Sequence, residues 1–128
     1  MKKQILVILF IILSSGGAKA DMTLSLYEEL RSSNDPETKA ILQLFLEATF
    51  TGIQTTVIRY EADGYPMAFC PPEEKIFTID ELYGFLDSEV AAAKAIRGVP
   101  YLGDEPVSFV MLNALQTLFP CESYRRKN

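Results

Sequence analysis

The chain has no histidine and no tryptophan, and only two of its 128 residues are cysteine. Without histidine it lacks the commonest general base near neutral pH and the commonest metal ligand. Two cysteines about fifty residues apart do not supply the four ligands of a structural zinc site. Carboxylates remain for calcium, but "DGYPMAFCPPEE" lacks EF-hand spacing. Neither a metal nor a cofactor is expected. There is also no internal repeat, no low-complexity segment and no strong period-two strand signal.

What is present begins with a leader. Lys2 and Lys3 precede a nine-residue apolar run, Ile5 to Leu13, and "AKA" at Ala18 to Ala20 fits a small-x-small cleavage site. This is the pattern of a secretory signal peptide. The apolar run is too short to span a bilayer, which takes about 20 residues. No cysteine follows it to carry a lipid. The expected mature chain starts at Asp21, is a single domain of about 108 residues, and works in the periplasm, free of the membrane. All 17 acidic residues lie beyond residue 20, while Lys2, Lys3 and Lys19 leave with the leader. The remaining nine basic residues against 17 acidic ones give a net charge of −8. Such a surface repels nucleic acid and anionic membranes; it suits a soluble protein, the preferred reading, or one that meets a basic partner.

The mature part reads as all-α, with four main helices around one core. The first helix is expected over Met22 to Ser33, with Leu24, Tyr27 and Leu30 at helical spacing. Asp35 caps the second, with Pro36 at its first position. That helix runs to about Ala62, where Asp63 and Gly64 stop it, a length of roughly 40 Å at 1.5 Å per residue. Ile41, Leu44, Phe45, Ala48 and Gly52 form one stripe along it; Leu42, Leu46, Ile53 and Val57 form another. Two stripes predict a central helix covered on two sides, with Ala48 and Gly52 as a notch for a close helix. Thr78 opens a third helix with the capping box "TIDE", and Gly98 and Pro100 end it. Asp104 is expected to cap the last helix, whose stripe runs from Val107 to Leu118 and which Pro120 closes.

The cysteines admit three roles. A catalytic thiolate needs a group that depresses its pKa. Phe69, Pro71 and Pro72 around Cys70 do the opposite when buried, and no lysine is nearer in sequence than Lys75. A metal site fails on ligand count. An exported chain most often pairs two cysteines. Cys70 lies just before the third helix and Cys121 just after the fourth, so an antiparallel pair brings them together. The expectation is a Cys70–Cys121 disulfide, contributing on the order of 4 kcal/mol by loop closure.

The paired acids Glu73/Glu74, Asp80/Glu81, Asp87/Glu89 and Asp104/Glu105 compete between a glycosidase-type pair and solvated helix faces and N-termini; the solvated reading is preferred. Tyr60 and Tyr65 flank the Asp63–Gly64 turn, Tyr83 is expected in the core, and Tyr101 lies in "PYLGDEP". A loop tyrosine is either a binding anchor or a buried ring with one hydrogen bond.

From about Phe45 to Cys121 the chain resembles the Rap/Tai immunity proteins of type VI secretion. The resemblance is carried in order by "FLEATFTGI", "FCPPEEKIFTIDEL", "YGFLDSEV" and "SFVMLNALQTLFPC". It implies a non-catalytic protein that binds and blocks a peptidoglycan amidase, with homodimers as an option. Partner-binding candidates are the loop residues Tyr65, Glu73, Glu74, Tyr101, Asp104 and Glu105. The competing expectation is a general periplasmic helical binding module, or a chaperone of the acid-stress type.

Overall fold

A computed structural model describes residues 21–96 and 103–122. The expected leader, the Gly98 and Pro100 stop signals and Tyr101 lie outside these residues. Four helices follow in order: α1 (Leu24–Ser32), α2 (Pro36–Ala62), α3 (Ile79–Ala95) and α4 (Val107–Leu118). The fold class is all-α. The only β-type pairing among the described residues is an isolated antiparallel bridge between Thr23 and Pro106.

Local signals set most of the helix ends. The Asp35 carboxylate accepts the backbone N–H of Thr38 at 2.7 Å, and Pro36 occupies the first position of α2. Hydrogen bonds from the Thr38 hydroxyl and then its backbone N–H pull Asp35 below the usual carboxylate range. At the other end Gly64 takes φ +86°, a left-handed conformation that glycine adopts without steric cost. The α3 capping box is complete: Thr78 Oγ1 accepts from the Glu81 N–H at 3.3 Å, and Glu81 Oε2 accepts from the Thr78 N–H at 2.8 Å.

Two starts differ from expectation. Met22 is not helical, because Thr23 caps α1 through its hydroxyl. Asp104 does not cap α4; Pro106 holds that position, without a side-chain hydrogen bond, and neither Asp104 nor Glu105 falls in the first turn. The two N-termini instead satisfy each other through backbone. Val107 N–H donates to the Met22 carbonyl at 2.8 Å, while Leu24 and Ser25 donate to the carbonyls of Glu105 and Gly103 at 2.9 Å each. Exposed helix-end amides demand acceptors, and here the main chain of the other element supplies them.

The core is built from one face of every helix. Tyr27, Leu42, Leu46, Leu82, Leu86, Met111 and Leu115 are each at most 1% exposed. α3 and α4 make the most extensive contact. The ring of Phe77, at the entry to α3, lies 5.4 Å from that of Phe119, at the exit from α4, as an antiparallel pair requires.

α2 does not have the two covered sides that its stripes predict. Leu42, Leu46 and Val57 are buried, joined by Phe50, which belonged to neither stripe. On the other stripe Ile41 and Leu44 remain 57% and 68% exposed. Among the described residues no atom approaches within 4 Å of the space that a side chain on Gly52 would occupy, so none of the four helices fills the notch. By length and composition α2 is apolar enough to cross a membrane, because this uncovered stripe adds to its buried one.

Asp87 is not simply solvated. It accepts the Tyr27 hydroxyl at 2.6 Å and the Arg31 guanidinium at 3.3 Å, tying α1 to α3. Tyr83 is half-buried rather than in the core, with the Arg31 guanidinium 4.0 Å above its ring.

Candidate functional site

Cys70 and Cys121 form the expected disulfide, with Cα atoms 5.0 Å apart. It anchors one end of the segment between α2 and α3. Cys70 N–H donates to the Phe119 carbonyl at 2.7 Å, and Phe69 beside it is buried. The other end is held by Phe77, whose ring meets those of Phe50 at 5.0 Å and Phe85 at 5.8 Å. Between these anchors, Lys75 N–H closes a turn on the Pro72 carbonyl at 3.1 Å, and the Lys75 ammonium pairs with Glu81. That ion pair, followed by the Thr78 N–H, holds Glu81 below the usual carboxylate range.

The loop thus tied at both ends presents Ile76, which is 85% exposed. Burying an isoleucine fully is worth about 1.5–3 kcal/mol, and Ile76 gains almost none of this within its own chain. The turn before it carries Glu73 and Glu74, both exposed, with Glu74 in the left-handed region at φ 62°. A loop already held in one conformation loses little entropy when a partner binds it.

The sequence-derived candidates fall into two groups. Tyr65, Glu73 and Glu74 lie on the segment after α2. Tyr65 is 60% exposed and stacks edge-on against Tyr60, with centroids 5.6 Å apart. Asp104 and Glu105 lie on the turn before α4, where Asp104 is exposed and Glu105 half-buried. No hydrogen bond or ring contact joins the two groups among the described residues. Ile76 was missed. Its signal was an isoleucine off any helical stripe, between charged residues and an aromatic.

A second feature was also missed. An open groove of about 600 Å³ runs along the uncovered side of α2, with Phe45, Ala48, Gly52 and Tyr60 on one wall and Ala68 and Leu112 on the other. Three of its polar side chains, those of Thr56, Ser108 and Asp21, bond within the chain. The Thr56 hydroxyl donates to the Gly52 carbonyl at 2.8 Å, and Ser108 donates to Asp21. What faces outward is therefore mainly carbon.

Tyr27 is pushed well above the ordinary tyrosine pKa, first by burial and then by its bond to Asp87. That keeps the phenol neutral, the opposite of what a tyrosine base or nucleophile needs. Among the described residues no three metal-ligating side chains converge. Comparison with family models, curated proteins and solved structures returned no match.

Proposed function

We propose that this protein is an exported helical binding protein that neutralises its partner by occlusion, without chemistry of its own. The observation that carries this reading is Ile76, an exposed apolar side chain on a loop held by a disulfide, an aromatic cluster and an ion pair. Buried apolar anchors surrounded by polar residues dominate protein interfaces, and Glu73 and Glu74 supply acidic neighbours. The partner class comes from the resemblance to the Rap/Tai immunity proteins: a peptidoglycan amidase delivered by type VI secretion. The chain would act in the periplasm after cleavage near Ala20, and its acidic surface would speed encounter with a basic enzyme.

Co-expression with a periplasm-directed amidase encoded beside it tests the reading. The wild-type chain should relieve the toxicity and co-purify with the enzyme. Ile76→Asp should lose both while unfolding at the same temperature. Failure of the wild-type chain to bind any neighbouring gene product would reject the immunity role. Full protection by Ile76→Asp would reject the loop.

A second reading, a chaperone active in acid, draws on the apolar residues Ile41, Leu44 and Ile58 left exposed on α2. It requires more apolar surface as carboxylates neutralise. Environment-sensitive dye binding that stays flat from pH 7 to about pH 3, through the carboxylate range, would eliminate it.

A further inference from the structure

We infer that the groove along α2 is a docking site for a cationic amphipathic helix of a partner protein. It shares no lining residue with the Ile76 loop, so the inference stands apart from the amidase reading.

The groove's shape comes from small residues. Ala48, Gly52 and Thr56 follow one another at four-residue steps, one above the next on the helix face. Between Phe45 and Tyr60 the groove follows α2 for about 22 Å at 1.5 Å per residue, some four turns. A second helix lying in such a trough presents its own ridge at steps of three and four. Gly52 has no internal justification. It is helical, its φ is not in the left-handed region, and among the described residues nothing within 4 Å forbids a side chain. Glycine there lowers helix stability relative to alanine, and a backbone approaching from outside explains why the position stays small.

The charge of the partner follows from the lining. Among the described residues no lysine or arginine lines the groove, and the one formally charged member is the acid Asp21. Beyond residue 20 the chain carries 17 acidic and nine basic side chains. An apolar ridge flanked by lysine or arginine complements this surface, whereas one flanked by acids is repelled.

The test uses the chain from Asp21 to Asn128 and two synthetic helical peptides of about 16 residues, roughly the length of the groove. Both carry the same alanine and leucine ridge; one is flanked by lysine and the other by glutamate. Fluorescence anisotropy should show the lysine peptide binding at least tenfold more tightly, with the preference shrinking as salt rises. Gly52→Leu and, independently, Ala48→Leu fill the trough and should each weaken binding at least tenfold without lowering the unfolding temperature. Gly84→Ala, on the exposed face of α3, should leave affinity unchanged. The inference is overturned if neither peptide binds at about 1 mM. It also falls if both groove variants bind as wild type, or if the wild-type chain is a dimer that Gly52→Leu separates, since a second copy would then fill the groove.

Discussion

α2 carries two apolar faces in opposite surroundings. Along one, Leu42, Leu46, Phe50 and Val57 are at most 8% exposed. Along the other, Ile41, Leu44 and Ile58 are each more than half exposed. Residue size accounts for much of the difference. The covered face sets large side chains at three- and four-residue steps, so they interdigitate with neighbouring helices. Beside Ile41 and Leu44 the open side carries Ala48 and Gly52, which leave the rest of the chain little to pack against. A helix can therefore be apolar on two sides while only one side belongs to the core.

Several measurements sharpen or break this contrast. The largest effect should come from the disulfide that ties the segment after α2 to the exit of α4. Replacing both Cys70 and Cys121 with alanine should lower unfolding free energy by about 4 kcal/mol, read from urea midpoints. Next is a matched pair of truncations. Leu46→Ala should cost about 3 kcal/mol, whereas Leu44→Ala should stay within about 0.5 kcal/mol. A comparable cost at Leu44 would mean that the open face is covered in solution, and the contrast would collapse.

Tyr27→Phe should cost about 1.5 kcal/mol, because the buried hydroxyl donates to a carboxylate. Gly52→Ala should raise stability by about 1 kcal/mol, since the added methyl meets open space. A loss at Gly52 would show that something within the chain needs the glycine.

The smallest effect concerns pH. Asp35 and Glu81 both have folded values below their ordinary ones. Their contribution is complete above the unfolded carboxylate range of about 4 and disappears as pH falls through the depressed folded values. Urea midpoints of the wild type should therefore decline below about pH 4, and more gently in an Asp35→Asn, Glu81→Gln variant that lacks both groups.

Much of the architecture was legible in local chemistry. Asp35 and Pro36, the Thr78–Glu81 box and Gly64 each act within a few residues, so their positions determine their roles. The disulfide was legible because its two cysteines bracket an antiparallel pair. The α4 cap was not, since its acceptor is the Met22 carbonyl, brought from the start of the chain, and a carbonyl carries no residue signature. Asp87 was missed for a related reason: it sits off the apolar stripe of α3, and only the packing of α1 delivers Tyr27 and Arg31 to it. The binding surfaces were the least readable. Tyr65, Glu73 and Glu74 were chosen for lying in a loop, whereas Ile76 stands out only once Phe77 and Lys75 are seen to be held. The Ala48–Gly52 notch was visible, but periodicity cannot say whether its occupant lies inside or outside the chain.

The backbone exchange between Met22–Ser25 and Gly103–Val107 sets an order of events during synthesis. A growing chain that has reached only residue 102 holds every residue of α1 but none of the carbonyls that complete its first turn. It also lacks α4, which contributes Met111 and Leu115 to the centre of the core. The opening helix therefore waits for the closing one, and contacts this distant in sequence form late because the intervening chain must first be ordered. Protease protection of ribosome-bound chains is therefore expected only once nearly all of the chain has emerged.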